Sequence, residues 1–428
     1  MMNKTICMFV WNHFTNDARV LRECTALSEE GYQVDLVCIH DPDEKGLPKF
    51  EQRNTNFAVY RVRRYPLLLE MMQILYRKCT QNKWIGLLVL ILWLGAMYLQ
   101  PWIMGLLTVL AFVFLKTKVK VVWVRGSIIL RMIAKGIRDD YDIYHANDLN
   151  TLPQAYISSK LRFKKRKLVY DSHEVQTSRT GYDSKAYNKS ELFFINKIDT
   201  MIVENHTRAK YNEELYGFYP NVVYNYPFKQ KNKLKKNISF RDMLDISPDE
   251  KILLYQGGIQ EGRGLDKLIQ AVPLFNEGIL VLIGDGRIKP ELEKTVNKME
   301  LQHKVKFLSK VPVEDLPAYT KNGYLGFQVL NNINYNHYSA SSNKLFEYIM
   351  SNVPVIACSF PEIQKVVEGE RVGVCVDSHD YKSIATGVNH LLENPEIREE
   401  MAENCNKAKE KYNWEEEKKN FLAVYEAM

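Results

Sequence analysis

The sequence predicts an α/β fold of two parallel, doubly wound domains, and three observations carry that expectation. First, 428 residues exceed what one hydrophobic core serves. Second, short β-rich runs alternate with stretches of helical apolar spacing, the signature of βαβ units and parallel sheets. Third, that alternation is interrupted once by a polar, lysine-rich segment, residues 228–250, and then resumes.

"KTICMFV" and "YQVDLVCI" read as the first strands. Between them Ala18, Leu21, Cys24 and Leu27 fall at helical spacing, and Gly31 supplies the stop. Farther on, "YDIYHA" and "KLVYDSHE" read as strands around the helix "LNTLPQAYISSKL". "TMIVEN" adds a strand, "HTRAKYNEELYG" a helix, and "PNVVYNYP" closes the first half. The second series runs "KILLYQGG", "LDKLIQAV", "ILVLIGDG", "IKPELEKTVNKM", "VKFLSK", "VEDLPAYTK", "YLGFQVL", "KLFEYIMSN", "PVIACS". An amphipathic helix at "NWEEEKKNFLAVYEAM" ends the chain, with Trp414, Phe421, Leu422 and Tyr425 near one face. These runs give an N-terminal domain over 1–227, a linker over 228–250, a C-terminal domain over 251–408 and a last helix over 409–428.

An apolar fraction of 46% and a charged fraction of 25% fit a globular protein. The exception is local: from Trp84 to Leu115 no side chain is charged. Six basic residues and one acid lie between Arg61 and Lys83, and seven basic residues and no acid between Lys116 and Arg138. Basic flanks around an apolar run favour an anionic membrane surface over nucleic acid as partner. As helices, Trp84–Gln100 and Trp102–Leu115 would be about 26 and 21 Å long, split by Pro101 and short of a hydrocarbon core of about 30 Å. Both flanks must join one domain. The segment therefore favours a helical hairpin dipping into the cytoplasmic leaflet, with Trp84, Trp93 and Trp102 as interface residues, over a two-helix spanning hairpin or a buried helix pair. Seven scattered cysteines without a CxxC pair point to reduced thiols and against zinc. "MMNKTICMFVWNHF" reads as a first strand rather than a signal peptide.

Three strand-ending loops of the second series carry chemistry. In "SSNKLFEYIMSNVPVIA" a helix starts near Ser341 to Asn343, so its N-terminus and Lys344 together suit a phosphate. Glu347, one turn later, is placed to accept both hydroxyls of a ribose. "GGIQEGRGLDKLI" sets Gly257 and Gly258 at a strand end, where backbone approaches a ligand closely, and Arg263 in the loop, where it forks onto phosphate oxygens. "IGDGR" repeats the pattern with Gly284 and Gly286. Together they point to a nucleoside diphosphate site.

"YQGGIQEGRGLDKLI", "LIGDG", "VKFLSKVPVEDLPAY" and "NKLFEYIMSNVPVIA", in this order, resemble the donor domain of GT-B-fold glycosyltransferases, specifically glycosyltransferase family 4. "FTNDARVLRECTALSEEGYQVDLV", "YDIYHANDLNTLPQA", "LVYDSHE" and "YNWEEEKKNFLAVY" are similar to the rest of such enzymes, and about residues 65 to 135 lie outside the likeness. The resemblance implies two Rossmann-like domains facing a cleft, with the hydrophobic hairpin inserted in the N-terminal one. It implies retaining transfer from a UDP- or GDP-sugar, of the kind bacterial surface-polysaccharide enzymes perform on lipid-linked saccharides at the cytoplasmic face of the inner membrane. Glu347 matches the ribose-binding glutamate, and Arg263 and Lys344 the cations that neutralise the leaving diphosphate. No Asp-x-Asp motif stands at a suitable strand end, so neither metal nor cofactor is expected. His173 matches a histidine that orients sugar or acceptor, with capping of the strand end as its structural alternative. Phe307, Ser339, Ser342, Asn343 and Leu345 complete the donor-binding set. Two departures stand out: Ser339 occupies a position where many relatives carry a second glutamate, and Gly258 one where they often carry arginine. The same fold would also serve a nucleotide-sugar epimerase or hydrolase, or an inactive membrane-bound nucleotide-binding scaffold.

On the acceptor side, His13 and Trp11 follow the first strand. Asn16 and Asp17 read as a helix cap first and an acceptor loop second, and Asp148 as either acceptor ligand or N-cap. Tyr335, Tyr338 and Tyr348 read as packing, and His337 has no assigned partner.

Overall fold

The computed structural model describes residues 4–15, 17–41, 44, 46–178, 185–229 and 241–428. Asn16, and residues 230–240 of the expected linker, lie outside the described residues.

Two sheets organise the chain. The first takes β1 (Thr5–Phe9), β2 (Gln33–Ile39), β3 (Phe50–Asn54), β4 (Phe57–Val62), β5 (Ile143–Asn147), β6 (Lys167–Ser172), β7 (Thr200–Val203) and β8 (Asn221–Val222), in the order β3-β4-β2-β1-β5-β6-β7-β8. Among the described residues, β3 pairs antiparallel with β4. The second takes β9 (Ile252–Gln256), β10 (Ile279–Ile283), β11 (Val305–Leu308), β12 (Leu325–Gln328), β13 (Val355–Cys358) and β14 (Gly373–Val376), in the order β11-β10-β9-β12-β13-β14. All its pairs are parallel.

The central strands of the second sheet are almost wholly apolar because both faces are covered. Ile252 and Leu254 join one buried cluster while Leu253 and Tyr255 join the other, as alternation along a strand requires. Strand order reverses between β9 and β12, which opens a crevice at their carboxyl ends.

By compactness the chain forms two units: Met1–Asp171 with Glu191–Met201, and Ser172–Ser190 with Ile202–Met428. The last helix, Trp414–Glu426, belongs to the second. There the Trp414 N–H donates to the Pro227 carbonyl at 2.9 Å, and Glu417 accepts the Tyr224 N–H at 2.8 Å.

In the first unit, helix α1 (Ala18–Glu29) is capped by Asp17, which accepts the Val20 N–H at 3.1 Å. Four helices stand between β4 and β5: α2 (Leu67–Gln81), α3 (Lys83–Leu99), α4 (Pro101–Lys116) and α5 (Val119–Arg138). Only the far end of α5 behaves as a crossover helix. It buries Ile128, Met132 and Gly136, one residue per turn, and a Cβ on Gly136 would stand 2.8 Å from the Phe9 ring. The helices α3 and α4 bury no residue. Their break falls at Gln100, with Pro101 opening α4, where its missing N–H costs nothing. The Trp93 indole donates to Thr108 Oγ1 at 3.0 Å, tying one helix to the other, while Trp84 and Trp102 are 79% and 90% exposed. Among the described residues no single helix is long and apolar enough to cross a membrane. Two bent pairs meet the length and composition together, α2 with α3 (120°) and α4 with α5 (75°).

Candidate active site

A cavity of ≈ 380 Å³ lies in the second unit, at the carboxyl ends of β9 and β12. Its walls bring together Gly257, Gly258, Arg263, Ser342, Asn343 and Lys344. Each comes from one of the strand-ending loops, so the convergence follows from parallel strands delivering all their loops to one edge.

Lys344 is the most constrained of these groups. Its Nζ donates to the Tyr255 hydroxyl at 3.1 Å and lies 4.4 Å from the centre of that ring. The Tyr255 hydroxyl in turn donates to the Gly258 carbonyl at 2.9 Å. A side chain at Gly257 (φ +125°) would meet the lysine stem at 3.1 Å, so the absence of a Cβ leaves the channel for it. The stem is enclosed while some of the residue's surface stays accessible. Burial first, and then the neighbouring Arg263 guanidinium, push the ammonium down to about 7. Burial and Arg263 likewise hold His337, in the same wall, below the usual histidine value.

Gly284 and Gly286 sit beneath this loop and outside the cavity's walls. A Cβ on Gly284 would stand 2.0 Å from the Gly257 carbonyl oxygen, and one on Gly286 2.0 Å from that of Ile259. The loop is stitched to them by Gly257 N–H to the Ile283 carbonyl (2.9 Å) and Ile259 N–H to the Asp285 carbonyl (3.1 Å). These glycines therefore position the loop.

Helix Asn343–Met350 starts where the sequence places it, with Ser342 at its cap position. Glu347, one turn in, is half-buried and stands outside the cavity's walls; its Oε2 accepts the Gln256 amide at 2.7 Å. Gln256 is held by the Thr320 hydroxyl, which donates to its Oε1 at 2.7 Å. This fixes which end of the amide faces the carboxylate. Leu345 is buried in the core, and half-buried Phe307 packs against a core cluster.

Sequence reasoning missed the opposite wall: Glu174, Glu204, Arg208 and Asn336. Arg208 is its hub, donating to the His173 carbonyl at 2.6 Å, to Ser339 Oγ at 3.2 Å and to Glu204. Asn336 clasps the Val175 backbone at both its amide atoms, 2.7 and 3.0 Å. His173 is thus anchored through its own carbonyl. Ser339 is fully buried, donates to the Tyr335 carbonyl at 2.7 Å and faces this network, not the open cavity. Glu204 and Arg208 carried a faint signal, a charged pair four residues apart that begins at the end of "TMIVEN".

The remaining residues fall elsewhere. Tyr348 is buried and donates to the Leu254 carbonyl, Tyr335 stacks on Tyr211, and Tyr338 packs on Phe360. In the first unit, His13 Nδ1 lies 3.0 Å from the Ile39 carbonyl and Nε2 3.7 Å from Asp41. Asp148 adopts a left-handed backbone (φ 64°), and the cap position of the following helix is Thr151, which corrects the N-cap alternative. Glu23, His145 and Asp171 form a buried carboxylate–histidine cluster, and Arg19 already supplies its positive charge, at 3.0 Å from Glu23 and 2.7 Å from Asp171.

Residues 238–408 match the family described as glycosyl transferases group 1. The chain is 26% identical over 306 residues to an uncharacterized glycosyltransferase of Methanocaldococcus jannaschii, covering 67% of this chain and 75% of the relative. The sucrose-phosphate synthase of Thermosynechococcus elongatus superposes with a TM-score of 0.72 at 16% identity, over 99% of this chain and 98% of that one. Anabaena HepE in complex with UDP-glucose gives 0.70 at 14% identity, over 99% and 100%. The chain carries a glycosyl transferases group 1 domain on a GT-B fold, and it is a glycosyltransferase.

Proposed function

We propose that the enzyme transfers a sugar, with retention, from a UDP- or GDP-sugar to a lipid-linked saccharide at the cytoplasmic face of a bacterial inner membrane, in surface polysaccharide synthesis. The observation that carries the donor half is the pairing of Arg263 and Lys344 beside the Gly257–Gly258 backbone. Cleaving the anomeric bond leaves negative charge on the β-phosphate, and two fixed cations in a poorly hydrated pocket stabilise it without a metal. The solved complex of HepE with UDP-glucose supports a donor of this class. Glu347, oriented by Gln256, accepts the ribose hydroxyls. The departing phosphate takes the acceptor's proton on the face it leaves, so His173 orients groups without acting as base.

The acceptor half rests on the apolar helices α3 and α4, whose exposed surface suits lipid. The test pairs the enzyme with UDP- and GDP-sugars in thermal-shift assays, since a ligand of the folded state raises its melting temperature. One nucleotide series should stabilise the wild type and fail with Glu347→Ala. Equal shifts in both proteins would sink the ribose assignment.

A further inference from the structure

Two more cavities lie in the first unit, at the foot of the apolar helices. One, of ≈ 470 Å³, is walled by α2, α4 and α5 and presents Tyr65, Tyr76, Arg77, Lys116 and Lys120. The other, of ≈ 460 Å³, shares Tyr65 and Lys120 with it and reaches Trp11 and His13, just past the carboxyl end of β1. Strand order in this sheet reverses between β1 and β5, so the second cavity sits at the edge where such sheets take ligands.

Part of the charge here is compensated: His13 and Arg64 share Asp41, at 3.7 and 3.8 Å. Glu70, the one acid in these walls, is 3.2 Å from Arg63. Among the described residues, Arg77, Lys116, Lys120 and Arg125 have no carboxylate partner. Lys116, which has no acid beside it, stands 5.3 Å from the Tyr76 ring. Cations backed by aromatic faces and lacking acids suit an ion of high charge density such as phosphate. The helices rising from this neck expose Leu88, Leu92, Leu107 and Phe112. An anion bound here would have an apolar surface directly beyond it, which fits a phosphate that carries a lipid chain.

We propose that the neck cavity between α2, α4 and α5 holds the phosphate or diphosphate of the lipid-linked acceptor, with Arg77, Lys116 and Lys120 as its cations. The adjoining cavity receives the first sugar. The inference rests on reading the acceptor as a membrane lipid, and it adds the site that recognises it. Attraction to bulk anionic lipid would need only exposed charge; the joined cavity leading to the β1 edge is what favours the acceptor itself.

The experiment compares full-length wild type, Arg77→Gln/Lys120→Gln and Arg77→Lys/Lys120→Arg. Vesicles are phosphatidylcholine alone, with phosphatidylglycerol, or with undecaprenyl diphosphate at matched charge. Wild type should prefer the diphosphate vesicles by about tenfold or more, and the glutamine variant should lose most of that preference. Its loss on phosphatidylglycerol vesicles should stay below about twofold, and the charge-keeping variant should recover most of the diphosphate binding. A preserved thermal shift with nucleotide certifies folding. Equal losses on both anionic vesicles would assign the cations to general membrane attraction and overturn the proposal, as would no loss at all. Wild type showing no preference for diphosphate vesicles would overturn the lipid-acceptor reading beneath it.

Discussion

The cavity of the second unit and the neck of the apolar helices both collect cations, and they hold them in opposite ways. Lys344 is threaded between Gly257 and the Tyr255 ring, close to a second cation, and gives up part of its proton affinity to be there. Arg77 and Lys116 are exposed and Lys120 is half-exposed, and among the described residues none has a carboxylate partner. The first arrangement is set by the protein's own packing. The strength of the second depends on what surrounds it, because a charge at an interface poor in water acts far more strongly than one in bulk solvent. Changes at the two places should therefore separate into different observables.

The largest effect expected is on localisation. Replacing residues 84–115 by a short Gly-Ser turn should abolish sedimentation with vesicles while leaving the nucleotide-induced thermal shift intact. A shortened protein that still sediments would place membrane attachment elsewhere. Next come the diphosphate cations. Arg263→Ala and Lys344→Ala should each lower kcat by about 10²–10³, the usual cost of removing one group that stabilises developing oxyanion charge. Losses confined to KM would mean that these residues bind the donor without favouring its cleavage. Smaller again is the nucleoside end. Glu347→Ala should weaken nucleotide binding by about 10–100-fold, for the loss of charged hydrogen bonds to two hydroxyls. Thr320→Val, which frees the Gln256 amide, should cost only a fraction of that in the same titration.

The same contrast explains what was legible in the sequence. Strands β9, β10, β12 and β13 stand out because burial on both faces leaves apolar runs with few polar interruptions, and glycines mark where loops turn toward the cavity. Arg263 and Lys344 follow from that pattern. Strand β3 does not, because "FEQRN" is an exposed edge whose composition gives no alternation. Helix α2 buries only Leu69, so nothing in its spacing marks a core-facing side. Glu204 and Arg208 showed only as a faint charged pair, for another reason. The role of Arg208 arises from contacts with Ser339 and Asn336, some 130 positions away, and no local pattern encodes a partner at that distance. The apolar run was legible in composition alone, which fixed its helices and their break at Pro101 but not the cavities at their foot.

The sharpest test of a packed against a bare cation is pH. With the site empty, burial and Arg263 hold Lys344 at about 7, so above neutrality a growing share of free enzyme carries a neutral amine. A bound diphosphate favours the ammonium and raises its pKa, so binding takes up a proton. The sign follows: affinity is highest below about pH 7 and falls as pH rises through the free-site value, until the raised value of the complex is reached. Between about pH 7.5 and pH 8.5 the loss should approach eightfold, from the ratio of neutral to charged lysine at a pKa of about 7. A terminal phosphate, with its second pKa near 6, is already ionised across this range and contributes little. Lys344→Arg keeps a charge that cannot titrate here and should bind with a nearly flat profile. Vesicle binding, which does not involve Lys344, should be unchanged over the same interval. Calorimetric titrations in buffers of differing ionisation heat measure the proton uptake directly. A flat wild-type profile would mean that Lys344 is an ordinary, fully charged lysine and that the pocket exerts no hold on it.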